Sequence, residues 1–340
     1  MHTYAATYIT GLGDLIETAL SHEVSDFELV GHDDGLLVFK TERTYEELLH
    51  ISYINNIFDV LSYEPPSDTN RSVHAVVKNL AKACSFSKIS GKTFRLMVMH
   101  GSKLEHVTKE IATVMKEKIS RGTELQFSPL KADVEFWVLI RNNGAVMFGY
   151  KKETVLEKIP LQKGELRPKI AELLVMASKP QAEDVFLDPF AGCGSIPAAR
   201  IRLDTFQTII GVEKKGQLVE ELKRRFKKEK NVSIHQGDAL KMNFIEDGSI
   251  TTIVTDPPWG IFEELNVDIA QFYTNMLEEF TRILKNDGKA VILTGQPEAL
   301  HVSLEGISSL QLQKTYTTLV NGKKATVFLL QKVGESQVSA

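Results

Sequence analysis

Two kinds of apolar periodicity divide the chain. Up to Tyr150, short runs that alternate or stay apolar over a few residues predict strands, and segments with apolar residues three and four apart predict helices between them. Thr3–Thr10 reads as a strand, Leu12–Ser21 as a helix, Phe27–Val30 and Leu36–Lys40 as strands joined through Asp34-Gly35, and a second helix opens at Tyr45. That order defines a small β-α-β-β-α unit over residues 1–60. Residues 61–93 combine Pro65-Pro66 with weak periodicity and a lysine-bearing helix near Val73–Cys84, a passage into a second module. The apolar strand Phe94–Met99 leads into Ser102-x-x-Glu105, a capping-box pattern that predicts a helix to about Ser120, with Leu104, Val107, Ile111, Val114 and Ile119 as its buried stripe. A strand at Val134–Ile140 turns through Asn143-Gly144 into Ala145–Gly149, the composition of a tight hairpin, with Trp137 read as packing. Residues 61–150 therefore form an α+β module.

Residues 151–165, with Pro160 and Gly164, read as a linker. Beyond it the grammar changes. Strands at Asp184–Asp188, Thr208–Val212, Val232–His235, Ile250–Thr255 and Lys289–Thr294 alternate with helices near Ser195–Arg202, Gln217–Glu229 and Ala270–Lys285, which predicts a mostly parallel, doubly wound sheet over residues 166–340. Gln311–Leu319 and Ala325–Gln331, joined through Asn321-Gly322, close one edge as a hairpin.

Composition narrows the class. Across 340 residues, 43% hydrophobic and 25% charged describe an ordinary globular protein of two or three domains. Cys84 and Cys193, far apart, exclude a disulfide scaffold and a multi-cysteine zinc site, so no metal is expected and a reducing cytoplasm is the default. No apolar run approaches the roughly 20 residues of a spanning helix, and Met1–Thr10 lacks the basic flank of a signal peptide, so neither membrane insertion nor secretion is expected. The net charge of −4 hides an asymmetry: residues 1–70 hold 2 basic against 13 acidic groups, residues 71–131 hold 12 against 4. The basic middle is a candidate polyanion surface, and a solvated helix face is the plainer account of the same lysines.

The chemistry concentrates at strand ends. Asp188-Pro189-Phe190-Ala191-Gly192-Cys193-Gly194-Ser195-Ile196 is a glycine-bearing turn from strand to helix, where a ligand can approach backbone amides. Pro197 stands where a dinucleotide fingerprint has Gly or Ala, and the carboxylate of Asp188 would repel a diphosphate while attracting an ammonium group, so a zwitterionic ligand fits better. The next strand ends at Glu213, which can accept two ribose hydroxyls, and the third leads to Gly237-Asp238-Ala239, where a carboxylate can receive an adenine amino group. The fourth ends in Thr255-Asp256-Pro257-Pro258-Trp259-Gly260, the most specific feature of the chain. It reads either as a proline-broken loop or as a clamp in which an acid, a carbonyl held by rigid prolines and an aromatic face grip a planar amino-bearing base, and the clamp is the stronger reading.

Together these residues resemble the class I methyltransferases that use S-adenosylmethionine and methylate exocyclic amines. The resemblance spans about residues 165–332 and includes Leu166-Arg167-Pro168-Lys169, similar to the segment that packs beside the methionine part. It implies cofactor contacts from Arg167, Pro168, Asp188, Pro189, Phe190, Ala191, Gly192, Gly194, Ser195, Glu213, Asp238, Ala239 and Asp256, and catalysis by Asp256, Pro257, Pro258 and Trp259. The upstream half, a ferredoxin-like unit followed by a segment resembling a THUMP module, makes the whole chain similar to tRNA guanine-N2 methyltransferases. That similarity implies a tRNA substrate, with position 6 favoured over position 10, RNA contacts from Arg95, Lys103, Lys109 and Lys116, and a cytoplasmic monomer acting on neither DNA nor membrane. Trp259 departs from the family's usual Tyr or Phe, keeping a stacking face but enlarging it. An exocyclic amine is a poor nucleophile because its lone pair is delocalised, and acceptors at Asp256 and the Pro257 carbonyl would favour a pyramidal nitrogen. The rival readings are a ribosomal-RNA guanine methyltransferase, a DNA amino-methyltransferase, an assembly factor without turnover, and, disfavoured by Asp188, Pro197 and the clamp, a nicotinamide oxidoreductase.

Overall fold

The computed structural model describes residues 1–68, 72–106, 108–152, 165–203, 205–260 and 268–334. Two compact units emerge, Met1–Tyr8 with Glu17–Lys158, and Ile9–Ile16 with Ile159–Ala340.

The first unit is built on one nine-stranded sheet. In chain order its elements are β1 (His2–Thr7), α1 (Gly13–Glu23), β2 (Glu28–Asp33), β3 (Leu36–Thr41), α2 (Tyr45–Leu48), β4 (Asn56–Glu64), α3 (Val73–Ala83), β5 (Thr93–His100), β6 (Lys103–Leu104), α4 (Lys109–Thr123), β7 (Gln126–Phe127), β8 (Val134–Ile140) and β9 (Val146–Lys152). The sheet runs β2-β3-β1-β4-β9-β8-β5-β6, with β7 also paired to β5. The boundary placed at residues 60–61 thus falls inside β4, which pairs with β1 on one side and with β9 on the other. Helices α3 and α4 bury Val77, Leu80, Met115 and Ile119 against Phe94, Phe136 and Phe148 of the sheet.

The expected capping box at Ser102 is corrected. Gly101 adopts φ +57°, which turns the chain back so that Lys103 pairs with His100 and Leu104 with Met99. Helix α4 starts only at Lys109, after Thr108. The buried stripe shifts accordingly to Met115 and Ile119, with Ile111 partly covered, while Leu104 and Val114 face solvent. Val107 lies outside the described residues, as does most of the expected linker.

The second unit contains α5 (Pro168–Ala177), β10 (Val185–Asp188), α6 (Ser195–Arg202), β11 (Thr208–Glu213), α7 (Gly216–Arg225), β12 (Val232–Gln236), β13 (Ile250–Thr255), α8 (Ile269–Ile283), β14 (Leu284–Thr294), α9 (Pro297–Glu305), β15 (Leu310–Val320) and β16 (Lys323–Lys332). The sheet order is β12-β11-β10-β13-β14-β16-β15, parallel except at β16 and β15. The crossover from β10 outwards in both directions creates a switch point between β10 and β13, and ligands of open α/β sheets bind beside such points at the carboxyl ends. Helix α8 buries Phe272, Tyr273, Met276, Leu277, Phe280 and Ile283 at helical spacing against β13 and β14, so the clamp loop hangs from a rigid floor. Among the described residues no helix is long and apolar enough to cross a membrane.

Candidate active site

Three acid-tipped strands converge at the switch point. Asp188, at the end of β10, is 1% exposed, and its Oδ1 accepts the Thr255 hydroxyl at 2.9 Å and the Phe190 N–H at 3.3 Å. Burial pushes this carboxyl up to about 7, and the neighbouring charges of Asp256 and Glu213 act in the same direction. Pro189, beside it, is buried and Phe190 half-buried. The following turn is fixed by the Ala191 N–H donating to the Val212 carbonyl at 2.9 Å and the Gly192 N–H donating to Glu213 Oε2 at 3.0 Å. Gly194 has φ +85°, and a Cβ there would stand 2.6 Å from Leu222 Cδ2, so only glycine lets α7 pack this close to the turn. Ser195 opens α6, and its hydroxyl donates to Glu165 at 3.4 Å.

Glu213 also accepts the Lys215 N–H at 2.8 Å on Oε1. Each of its oxygens keeps a lone pair for a diol, since an ionised carboxylate offers about four acceptor sites. Asp238 lies beyond β12, its Oδ1 accepting the Leu240 N–H at 3.0 Å and its Oδ2 paired with Lys214 at 2.9 Å. Partial burial opposes ionisation of Asp238, but that N–H and the ammonium outweigh it and hold the carboxyl below the usual range. Ala239 is buried next to it. Arg167 and Pro168 start α5 and are exposed, and the Arg167 guanidinium donates to Asn321 Oδ1 at 3.2 Å in the turn between β15 and β16. A cavity of about 620 Å³ adjoins the glycine turn on its α7 side, lined by Gly192, Cys193, Leu222 and Arg225.

The clamp loop follows β13 directly. Asp256 is half-buried, its Oδ1 accepting the Trp259 indole N–H at 2.9 Å. Burial pushes its carboxyl up to about 7 although that hydrogen bond favours the charged form. Pro257 is buried, Pro258 and Trp259 half-buried. The loop is braced by residues that motif reading missed. The Tyr273 hydroxyl lies 2.7 Å from Thr294 Oγ1 and 3.5 Å from the Pro258 carbonyl, the Gln296 amide donates to the Trp259 carbonyl at 3.2 Å, and Gly295 lies against the indole. Tyr273 was hidden in an apolar helix face, and Thr294 to Gln296 stand at the end of β14, where no acid marks the strand tip. Because Thr255 ties Asp188 to the strand that leads to Asp256, the glycine turn and the Asp256 loop share one hydrogen-bonded floor. The cleft can hold a cationic or zwitterionic nucleoside beside an amine-accepting loop.

The predicted RNA contacts are not brought together in the same way. Arg95 is bonded to Glu135, which also accepts the Trp137 indole N–H at 2.9 Å and lies 3.4 Å from Lys151, so this guanidinium is a paired sheet group. Lys116 sits 3.7 Å over the ring of Phe127. Lys103 lies on β6, not on the helix as expected, and Lys103 and Lys109 are exposed.

This sheet order, with its acid-tipped strands and terminal antiparallel pair, defines a Rossmann-like class I methyltransferase fold. Residues 159–325 match the model of the family UPF0020, described as an RMKL-like methyltransferase domain. A curated protein of Methanothermococcus thermolithotrophicus, "Probable tRNA (guanine(10)-N2)-dimethyltransferase", is 27% identical over 164 residues, covering 46% of this chain and 99% of its own. The fold extends over the full length of TrmN from Thermus thermophilus, with a TM-score of 0.76 at 19% identity and coverage of 98% of this chain and 100% of that one. A protein described as a possible methylase, from Clostridium difficile 630, superposes with a TM-score of 0.67 at 14% identity over 98% of both chains. SMU.472, crystallised with SAH, gives 0.63 at 15% identity, also over 98% of both chains.

Proposed function

We propose that the protein transfers a methyl group from S-adenosylmethionine to the exocyclic N2 amine of a guanosine in tRNA, forming N2-methylguanosine. The observation that carries this reading is the shared floor, where Thr255 links the cradle at Asp188 to the clamp at Asp256. The donor set suits the cofactor: buried Asp188 offers negative charge to the ammonium group, Glu213 keeps lone pairs for the ribose hydroxyls, and Asp238 with Ala239 supplies an acceptor beside an apolar wall for adenine. The bound cofactor supplies an activated methyl group, so a strong base is not required.

The chain's own groups then act by placement. Asp256 Oδ2 and the Pro257 carbonyl accept the two amine hydrogens, which turns the nitrogen lone pair out of the ring and into line with the methyl group. A paired guanine cannot reach this loop, so the nucleotide is flipped from its stem and stacks on Trp259. Asp256 is also near enough to take the proton that the methylated amine sheds.

The name of the curated relative carries position 10, and at 27% identity over 46% of this chain it speaks for the chemistry more than the position. Position 6 remains the first reading, with position 10 second. The test is transfer of labelled methyl into unmodified tRNA, ribosomal RNA and DNA in parallel, followed by nucleoside mass spectrometry and mapping. N2-methylguanosine in tRNA alone supports the proposal, and methyladenine or label confined to ribosomal RNA refutes it. Asp256→Ala should lower kcat by about 100-fold or more while leaving cofactor affinity nearly unchanged, and full turnover would remove Asp256 from its role.

A further inference from the structure

A carboxylate at the tip of a loop rotates freely about its last bond, and an acceptor that rotates cannot select one direction of attack. Asp256 does not have that freedom. The Trp259 indole N–H, three residues on, donates to Oδ1 at 2.9 Å, which leaves Oδ2 as the carboxylate oxygen without a hydrogen-bond partner among the described residues. The indole is itself seated. A Cβ at position 295 would stand 2.3 Å from its Cε3, and 2.9 Å from both Cδ2 and Cζ3, so the ring rests on a backbone that only glycine can offer. The seat is held from two further elements: Gln296 Nε2 donates to the Trp259 carbonyl at 3.2 Å, and Tyr273 of α8 reaches the Pro258 carbonyl at 3.5 Å while pairing with Thr294 at 2.7 Å. A Phe or Tyr ring in the same place would keep a flat face but has no donor at the indole nitrogen's position.

We infer that Trp259 is a positioning residue for Asp256, fixing through its indole N–H which carboxylate oxygen meets the substrate amine, and that Gly295 is the seat that makes this possible. The inference rests on the proposed role of Asp256 and goes beyond the stacking role of an aromatic in this loop. It makes residues 256, 259 and 295 one unit, with a glycine 36 positions downstream of the indole serving the clamp.

Among the described residues, the titratable groups that interact with Asp256 are Asp188 of β10 and Tyr273 of α8, both present in every variant below. Trp259→Phe keeps the ring and removes the donor. In the ligand-free protein, a carboxyl-carbon NMR titration should then show Asp256 losing its proton at higher pH than in the wild type, because a bond to the charged form is gone. In the methyl-transfer assay, kcat at pH 7 should fall about tenfold, its acid limb should move to higher pH, activity should partly recover at high pH, and KM for the cofactor should stay within about twofold. Gly295→Ala, which unseats the ring while leaving the indole intact, should reproduce both shifts. A Trp259→Phe protein with the wild-type titration and pH profile overturns the inference and leaves Trp259 as a stacking face. A Gly295→Ala protein identical to wild type overturns the seat. Should the wild type transfer no methyl to guanosine, the function reading fails, yet the NMR titration still decides whether Trp259 controls Asp256.

Discussion

Two carboxyls at the heart of the cleft, Asp188 and Asp256, are pushed up to about 7 by burial, and this shapes how the protein responds to pH. Their folded values lie above the ordinary carboxyl range, so between about pH 4 and pH 7 the native state holds more protons than the unfolded chain. Stability from this source is fully present below about pH 4 and is lost as pH rises through about 7. Asp188→Asn keeps the shape and the acceptor for Thr255 but removes the charge. In the absence of cofactor its melting temperature should exceed that of the wild type by a margin that grows between pH 5 and pH 8. A constant margin in thermal scans would show that Asp188 does not titrate in this window. At this scale the sequence was informative where a residue's role is local: the acids stand at strand ends, where their spacing predicted them. The bond from Trp259 to Asp256 was not legible, since it depends on a glycine reached only after α8 and β14 have folded back beneath the loop.

Elements were readable to the extent that they bury one face. The parallel strands announce themselves as apolar runs between turns, and α8 shows a clear helical stripe. Helix α5 carried no such signal because Ile170, Ala171, Leu173, Leu174, Val175 and even Glu172 are all buried, which erases the contrast between faces. Glu172 is tolerated there because Arg202 pairs with it at 2.6 Å. Strand β4 was missed for the opposite reason: beyond Ile57 and Phe58 its residues are only half-covered, so neither alternation nor a solid apolar run appears. Yet β4 joins the two halves of the nine-stranded sheet, and Phe58 packs with Ala5, Val38, Leu139 and Met147 from both of them. Phe58→Ala should therefore cost about 3–5 kcal/mol. In hydrogen exchange, amides of β1 and β3 should lose protection together with those of β8 and β9. Loss confined to β1–β3 would mean that the halves open independently.

For the molecule as a whole, affinity for a polyanion rests on exposed cations, and the structure separates them from paired ones. Under the proposed function, Lys103→Ala and Lys109→Ala should each flatten the salt dependence of tRNA binding by roughly one phosphate contact, read as the slope of log affinity against log salt. Arg95→Lys should leave that slope unchanged, because the guanidinium is bonded to Glu135. The nine-stranded sheet has one more property. Its β2-β3-β1-β4 half comes from residues 1–70, with 13 acids against 2 bases, and its β9-β8-β5-β6 half comes from residues 71–152, with 15 bases against 6 acids. At the usual strand spacing the two ends stand roughly 34 Å apart. The unit is consequently an electric dipole, and an approaching nucleic acid exerts a torque on it before any atoms touch. Neutralising acids such as Glu28 and Asp34, on the half remote from the proposed RNA contacts, should weaken that torque and slow association at low salt while leaving the dissociation rate unaltered, as stopped-flow binding would reveal. Acidic residues that never meet the RNA would in this way decide which way round it is met.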